Sequence, residues 1–422
     1  MKLRTLLILL PLFTPVRSDT LTLAGAVELG IEHNFSIRIG KVDEQKSENN
    51  KRLKTGALLP VLRLDAAGTK TATHYFSSTP PGAQLSVNEL RAGAVLNWTL
   101  FDGFRMFHAA HQIDLQADLA QTATRHQIEA AVASIVTAYY DLIAKRSLLN
   151  TAREQLSLSR EHLKFVVSQY AYGRIGRREL LSQEVVFNSD SSALLAQMLA
   201  EKTALHTLNL AIGRAPDFLF ECSADTLPDS LINTPEWWYE EALKHNSSLQ
   251  MAHLQKLLTV TRHALATSAF RPVVAANGSA YGYSQNSNDF FRSQVGISIS
   301  LPLLNGFSTT TAVRNSVLDT LSADLSVEEA KLALQAHIYE QFDRLSISII
   351  QVQFEQTAIQ RAQESLALSE EQFRLGRISD VTLRESQLAL LQAQVRYQTA
   401  LFQNRIVAVQ LEQLAGKLTI PQ

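Results

Sequence analysis

The sequence predicts a mainly α-helical, internally duplicated chain whose few β-strands form part of a membrane β-barrel. Each half is predicted to run helix, strand, strand, long helix, turn and helix. Three observations carry this prediction: landmarks that recur at one constant spacing, two long stretches without Gly or Pro, and four short segments of alternating polarity.

The recurring landmarks lie 203 residues apart, with no insertion between them. Because a constant offset over three landmarks is hard to obtain by chance, it indicates two repeats, which we place at 19–213 and 239–416. An irregular connector with three prolines, 214–238, separates them, and a tail follows at 417–422. The matched landmarks are Asp102-Gly103-Phe104 with Asn305-Gly306-Phe307, Gly173-Arg174-Ile175 with Gly376-Arg377-Ile378, and Gly213 with Gly416.

Residues 1–18 have the pattern of a signal peptide. Basic Lys2 and Arg4 precede an apolar run that is too short to span a bilayer, and cleavage after about Ser18 predicts an exported protein. The one cysteine, Cys222, can form no internal disulfide and lies far from the cleavage site, so no N-terminal lipid is expected. The net charge of −1, without a basic stripe, gives no case for nucleic-acid binding.

The predicted helices are 22–56, 104–172 and 177–212 in the first repeat and 239–268, 307–375 and 379–415 in the second. The longest helix of each repeat comprises 69 residues without Gly or Pro. At the helical rise it would be about 100 Å long if unbroken, so neighbouring helices must hold it along its length. The returning helices carry apolar residues at heptad spacing with one polar gap, as in an antiparallel coiled-coil hairpin. The stripes are Leu180, Phe187, Leu194 and Leu208 around Glu201, and Leu383, Leu390, Tyr397 and Leu411 around Asn404.

The predicted strands are 60–76, 89–101, 272–284 and 292–302. Leu96 and Trp98 alternate with Asn97, and Ile297 alternates with Ser298. Such alternation is typical of membrane barrels, although the strands of a soluble sandwich alternate as well. Aromatic residues near the strand ends suit the two water–lipid interfaces, with core packing at a sheet edge as the other interpretation. These aromatic residues are Tyr75, Phe76, Trp98, Phe101, Tyr281, Tyr283, Phe290 and Phe291.

Four strands are too few to close a membrane barrel, which needs at least about eight. Open sheet edges in lipid would leave backbone groups unpaired, so several copies of the chain must share one barrel by cyclic symmetry. Asp102-Gly103 then marks the membrane interface, and the long helix that follows projects away from it as one wall of a conduit.

Short motifs occur in matched order along the chain: LTLAGAVELGIEHN at 21–34, LP at 59–60, LFDG with LLNG, YGRIG with LGRIS, and LAIGR with LAGKL. Each motif is weakly specific, but by their order, spacing and duplication the chain resembles the TolC family of outer-membrane efflux proteins. The resemblance implies a homotrimer with a 12-stranded outer-membrane barrel and a long, 12-helix periplasmic tunnel. It also implies that the protein is the exit duct of a tripartite efflux or type I secretion system. Its implied partners are outer-membrane lipid, a periplasmic adaptor and an inner-membrane pump, and no cofactor is implied.

In that family the turns at 172–176 and 375–379 form the periplasmic tip, where an adaptor docks and carboxylates narrow the entrance. The acids that the family often has at the sixth and ninth positions after the second Gly are here Thr382 and Glu385. Asp380 is therefore expected to replace the missing acid in part. The implied docking residues are Tyr172, Gly173, Arg174, Leu375, Gly376 and Arg377. The implied entrance residues are Glu179, Asp380, Glu385, Arg377 and Arg384, with the two arginines expected to pair with the acids. A solvated helix end is the other interpretation of each charge.

Two other functions stay open from the sequence alone. A periplasmic coiled-coil adaptor would share export and a helical hairpin, but it would lack two matched strand pairs. A metal-binding helical enzyme rests on His108, His111 and Asp114, whose spacing on a helix could suit zinc but more often marks a polar stripe. Because the sequence has no P-loop, HExxH, GxSxG or paired-cysteine motif, we expect no enzyme.

Overall fold

The computed structural model describes residues 20–74, 84–223, 233–286 and 288–418. The predicted signal peptide and the strand-end aromatics Tyr75 and Phe76 lie outside the described residues, as do parts of the predicted connector and tail. None of the described helices combines the length and the apolar character needed to cross a bilayer.

The described chain contains eight α-helices, one 3₁₀ helix and six strands. The α-helices are α1 (Leu23–His33), α2 (Phe35–Arg52), α3 (Arg105–Ala171), α4 (Arg177–Ala211), α5 (Pro235–His245), α6 (Ser247–Ser268), α7 (Ser308–Arg374) and α8 (Asp380–Leu414), and the 3₁₀ helix is Lys54–Leu58. The strands are β1 (Thr20–Leu21), β2 (Val61–His74), β3 (Gln84–Phe101), β4 (Glu221–Cys222), β5 (Val273–Gln285) and β6 (Asn288–Ser300).

The chain divides into two compact units, each of which contains segments of both repeats. The hairpin unit comprises residues 1–38, 127–246 and 334–422. The sheet unit comprises residues 39–126 and 247–333.

The duplication is visible in the helix lengths. α3 and α7 have 67 residues each, and α4 and α8 have 35 each. Each helix of the second hairpin begins 203 residues after its counterpart in the first. The constant offset of the sequence landmarks therefore extends to the helix ends.

The first helical segment of each repeat is broken, which corrects the single helices predicted over 22–56 and 239–268. The breaks fall at Asn34 and Asn246, where ψ is 126° and 118° instead of a helical value. No Gly or Pro marks either position, so neither break could be predicted from a helix breaker. Asn nevertheless competes with the helix, because its short side chain bonds to nearby backbone groups.

Each of these asparagines also ties the start of its repeat to the end of that repeat. The Asn34 amide donates to the Ala211 carbonyl at 2.7 Å, and the Asn246 amide donates to the Leu414 carbonyl at 2.9 Å. Ala211 and Leu414 end α4 and α8. The last carbonyls of a helix lack intrahelical partners, and here the asparagine side chain supplies one.

α5 begins at Pro235, within the stretch 214–238 that the sequence assigned to an irregular connector. Thr234 precedes it, and its Oγ1 accepts a hydrogen bond from the backbone N–H of Trp237 at 3.4 Å. A proline at the first helical position loses no hydrogen bond, because that N–H has no helical partner in any case. The proline therefore starts this helix rather than prolonging the connector.

The polar gap in each heptad stripe is a contact between the two helices of a hairpin. Glu201 of α4 lies 3.1 Å from the Arg146 guanidinium of α3. Asn404 of α8 donates to the Ser348 hydroxyl of α7 at 3.0 Å. A polar group at a coiled-coil seam fixes the register of the two helices, because only one alignment satisfies its hydrogen bonds.

The hairpin unit has a hydrophobic core around Tyr139, which is fully buried between α1, α4 and the β1–β4 pair. Its hydroxyl lies 2.9 Å and 2.7 Å from the carbonyl oxygens of Leu21 and Ser223. Cys222 packs against this core, and burial raises the pKa of its thiol to about 11 while Arg146 opposes that shift. The thiol therefore stays protonated and weakly nucleophilic at neutral pH.

The four long strands form one antiparallel sheet in the sheet unit, in the order β2-β3-β5-β6. The central β3–β5 pair joins the strand hairpin of the first repeat to that of the second. Within the described residues, β2 and β6 pair on one side only, so both outer edges of the sheet lack a partner.

The register places the side chains on two faces, because paired residues of neighbouring strands point to the same side. One row runs through Leu62, Leu96, Gly278 and Val295, and its side defines the apolar face. The next row runs through Arg63, Val95, Ser279 and Gln294 on the opposite side, the polar face. The exposed large residues of the apolar face are Leu62, Leu64, Leu90, Leu96, Trp98, Phe291, Val295, Ile297 and Ile299.

The strand-end aromatics are divided between these faces. Trp98 and Phe291 lie on the apolar face, and the Trp98 indole donates to the Leu58 carbonyl at 3.0 Å. Tyr281, Tyr283 and Phe290 lie on the polar face, because their positions have the opposite strand parity. Phe101 packs edge to face against Phe104, with ring centroids 5.3 Å apart.

Candidate functional site

The two helix reversals of the hairpin unit have the same backbone structure. In the first, the N–H groups of Gly173 and Arg174 donate to the carbonyls of Tyr170 and Gln169, each at 2.9 Å. The second reversal repeats this pattern around Gly376 with the same distances. Both glycines have φ of +68°, the left-handed conformation with which a Schellman motif ends a helix.

The returning helices begin with different caps. Ser379 caps α8 by accepting a hydrogen bond from the Thr382 N–H at 3.3 Å, whereas Gly176 caps α4 without a side chain. Glu179 and Asp380 lie in the first turns of these helices. A carboxylate is favourable there because it faces the positive end of the helix dipole. Both predicted entrance acids therefore also stabilise a helix start.

Asp380 contacts the first hairpin as well as its own helix. The Nε2 atom of His162, on α3, lies against its carboxylate. The His162 ring also packs on Phe373 of α7, at 5.6 Å between centroids, and on Phe165, at 6.3 Å. This cluster joins the two hairpins close to their reversals.

An ion pair joins the same hairpins one to three turns further from the reversals. The Arg384 guanidinium of α8 lies 2.7 Å from the Asp190 carboxylate of α4, and their side chains are only 20% and 8% exposed. The Gln155 amide of α3 approaches the other Asp190 oxygen at 3.5 Å. We call this set the Asp190 tie.

Asp190 is not among the site residues predicted from the sequence, although a signal for it is present there. Asp190 lies three residues after Phe187 of the heptad stripe, a seam position where an apolar residue is usual. Gln183 occupies the equivalent place one heptad earlier, and both are buried. A charged residue at a buried seam position requires a partner, because an unpaired buried charge is costly.

The other predicted tip residues lie on the surface. Tyr172 is 77% exposed and Leu375 is 58% exposed, and Arg174, Arg377 and Glu385 are exposed too. Within the described chain, these three charged residues form no ion pair. The expected pairing of Arg384 with the entrance acids is replaced by the Asp190 tie, and Asp380 contacts His162.

The residues suggested for zinc do not form a metal site. The Lys54 ammonium lies 2.8 Å from both carboxylate oxygens of Asp114. Asp114 is the one acidic residue suggested as a zinc ligand, and it is therefore already held in an ion pair. Over the described ranges, no group of three or more His, Cys, Asp or Glu side chains is arranged to hold a metal ion. The charge of Asp114 is thus balanced by Lys54, the first residue of the 3₁₀ helix.

Two duplicated helical hairpins and one antiparallel sheet with an apolar face are also the elements of a solved outer-membrane channel. The solved structure of the CmeC outer membrane channel of Campylobacter jejuni superimposes with a TM-score of 0.83, at 14% identity, over 95% of this chain and 87% of that chain. At that identity, the likeness shows the fold.

Sequence comparison gives the family. Outer membrane efflux protein BepC of Brucella suis is 20% identical over 409 residues, which cover 95% of this chain and 86% of BepC. Outer membrane protein TolC of Vibrio cholerae is 20% identical over 317 residues, which cover 72% and 71% of the two chains. The model of the family described as outer membrane efflux protein matches residues 27–214 and 238–417. The chain therefore belongs to the outer membrane efflux protein family, which confirms the resemblance found in the sequence and places it among outer-membrane channels rather than enzymes.

Proposed function

We propose that the chain is the exit duct of a tripartite efflux or type I secretion assembly, formed by three copies that share a 12-stranded barrel. The observation that carries this proposal is the sheet, which has one apolar face and two unpartnered edges. Its strands have 13 to 18 residues, and about 9–11 tilted residues suffice to span a bilayer.

The free edges favour a shared barrel over a single chain in the membrane. Each unsatisfied backbone group in hydrocarbon costs several kcal/mol, so four strands inserted alone would be strongly disfavoured. Three copies related by cyclic symmetry would join each β6 edge to a neighbouring β2 edge and close the sheet. In this arrangement the apolar face contacts lipid through side chains such as Trp98 and Phe291, and the polar face lines the lumen.

The protein is expected in the outer-membrane fraction as a heat-labile oligomer with the mass of three chains in detergent. Ile297→Lys should deplete this trimer, because a lysine on the lipid face costs up to about 2–4 kcal/mol per chain. Ser298→Lys is the matched control: it adds the same charge to the next residue, which lies on the polar face, and should preserve the trimer.

Two outcomes would contradict this proposal. A stable monomer in detergent would leave the sheet edges open and exclude a shared barrel. Fractionation as soluble periplasmic protein, with Ile297→Lys without effect, would favour the adaptor alternative.

We further propose that the two reversals dock a periplasmic adaptor through Tyr172, Gly173, Arg174, Leu375, Gly376 and Arg377. Exposed apolar side chains at both turns, Tyr172 and Leu375, support this proposal, because a docking site needs apolar area at its centre. The entrance would be narrowed by Glu179, Asp380 and Glu385, with Arg377 and Arg384 nearby. A ring of carboxylates repeated three times around one axis would favour cations at this end.

Gly376→Val should weaken adaptor binding while leaving the trimer intact. A β-branched residue is strongly disfavoured at φ of +68°, so the turn must change its backbone. Gly376→Asn is the matched control, because Asn tolerates this conformation, and an added Cβ meets no atom within 4 Å. The measurement is copurification of the native adaptor with each variant. Normal adaptor recovery with Gly376→Val would show that the docking surface lies elsewhere.

A further inference from the structure

The polar face of the sheet carries arginines on three of its four strands, within three neighbouring cross-strand rows. One cross-strand row contains Asp65, Gly93, Tyr281 and Arg292, and the next contains Ala67, Arg91, Tyr283 and Phe290. Arg63 lies on the same face, one row on the other side of Asp65. We call Arg63, Arg91 and Arg292 the arginine belt.

The contacts within this region leave two of the three arginines without a carboxylate. Asp65 is shared by Arg63, at 3.3 Å, and by the Tyr281 hydroxyl, also at 3.3 Å. Arg91 instead lies over the Tyr281 ring, at 5.6 Å from its centroid. Arg292 lies over Tyr283 at 5.2 Å. Within the described chain, neither Arg91 nor Arg292 forms an ion pair.

The aromatic rings hold these guanidinium groups without cancelling their charge. Tyr283 and Phe290 are stacked at 4.9 Å with an interplanar angle of 7°, and Arg292 also lies 5.6 Å from the Phe290 centroid. A guanidinium is attracted to the face of an aromatic ring and stacks on it, which fixes its position while the full positive charge remains.

The charge balance of the described polar face is positive. It carries three arginines against two acids, Asp65 and Glu89, and Asp65 is already paired. Glu89 lies in the row beyond Arg91, opposite Gln285. The other Asp, Glu, Lys and Arg residues of the described parts of β2, β3, β5 and β6 are Lys70 and Asp289, which lie on the opposite face.

We propose that the arginine belt makes the membrane-spanning part of the duct selective for anions, so that the cargo favoured there is anionic. This inference rests on the proposed trimer, in which the polar face lines the lumen. Twelve strands at ~4.8 Å spacing and a tilt of ~40° give a barrel radius of roughly 12 Å before side chains are counted. Each trimer would present six guanidinium groups from Arg91 and Arg292. The Debye length is about 10 Å at 0.1 M salt, so their field extends across such a lumen.

Ion selectivity of reconstituted trimers tests this proposal with potassium and chloride as probes. The combined variant Arg91→Gln with Arg292→Gln should lower the chloride-to-potassium permeability ratio by about threefold at 0.1 M salt, because field-focused counter-ion enrichment is lost. The decrease should be smaller at 1 M salt, where the Debye length is about 3 Å. The ratio is compared with that of the parent channel, so charges at the periplasmic entrance contribute equally to both.

Two further variants separate charge from structure. Arg91→Lys with Arg292→Lys keeps the charge and should keep the ratio, although a lysine stacks less well on a ring. Lys70→Gln removes one positive charge from the opposite face and should leave the ratio unchanged. An unchanged ratio in the double Gln variant would overturn the inference while its channels still support the proposed function. Failure of the parent protein to form channels would instead overturn the proposed function itself.

Discussion

Gly416→Ala is expected to destabilise the protein by at least about 3 kcal/mol, combining left-handed backbone strain with overpacking. Gly416 has φ of +65°, which disfavours any residue with a Cβ. An added Cβ would also lie 2.6 Å from the carbonyl oxygen and 2.7 Å from the carbonyl carbon of His245. Because the contacted atoms belong to the backbone, they cannot move away as a flexible side chain would.

The chain supplies its own controls for this prediction. Gly213→Ala should cost as much, since its Cβ would lie 2.5 Å from the His33 carbonyl oxygen in the first repeat. Gly376→Ala and Gly173→Ala should cost only about 1–2 kcal/mol, because these turns have similar φ but open space around the added atom.

The measurement is the midpoint of thermal denaturation for each purified variant in the same detergent. Equal losses at Gly416 and Gly376 would show that the left-handed backbone alone sets the cost. The steric clash between the added Cβ and the His245 backbone would then be relieved by small shifts that cost little free energy of unfolding.

The fourfold recurrence of this turn shows what sequence reasoning can and cannot reach. The constant offset of 203 residues located Gly173, Gly213, Gly376 and Gly416 as helix ends, because Gly readily takes the left-handed conformation. The offset did not distinguish the exposed turns at Gly173 and Gly376 from those at Gly213 and Gly416, which lie in close contact with the end of another helix. That difference depends on His33 and His245, which are distant in sequence and approach only in the fold.

The strands show the same limit. Alternation in the sequence was enough to assign Leu96 and Ile297 to one face, since strand parity is a local property. The arginine belt was not visible from sequence, because Arg63, Arg91 and Arg292 belong to three strands whose register is set by pairing between the repeats. Tyr281 and Tyr283 were predicted as interface aromatics from their position along the strand, and only the strand pairing reveals that they also lie beside the arginines.

The Asp190 tie gives the second large prediction. Arg384→Ala should destabilise the contact between the two hairpins by about 3–5 kcal/mol, since it leaves a buried carboxylate without its charge partner. The Gln155 amide at 3.5 Å is a long, neutral contact and replaces little of the lost interaction. The loss should appear as a lower midpoint of thermal denaturation.

Arg377→Ala is the matched control for the loss of a tip arginine. Arg377 lies one to two turns away, is exposed and forms no ion pair within the described chain, so its replacement should change stability by less than about 0.5 kcal/mol. If both arginines contributed only through the overall charge of the tip, the two variants would behave alike.

Replacing both partners of the tie separates a structural contact from a buried charge left unpaired. Asp190→Leu combined with Arg384→Met should recover most of the stability lost in Arg384→Ala, because a buried ion pair is often replaced by apolar residues at little cost. The coupling free energy of the two sites follows from the cycle of single and double variants. A coupling near zero would mean that the 2.7 Å contact contributes nothing to stability.

The same variants test whether the tie holds the entrance shut. Asp190 and Arg384 join α4 of the first hairpin to α8 of the second, so the hairpins can separate near their reversals only when this contact is broken. Single-channel recording of Arg384→Ala trimers should therefore show higher resting conductance than the parent, and Arg377→Ala trimers should not.

The apolar pair Asp190→Leu with Arg384→Met should return the conductance towards the parent value, because it restores packing between the helices without the charges. High conductance in the repacked double variant, despite recovered thermal stability, would assign the closing force to the ion pair itself. Unchanged conductance in Arg384→Ala would place the closing contacts elsewhere, with the His162–Asp380 cluster as the remaining inter-hairpin contact nearest the reversals.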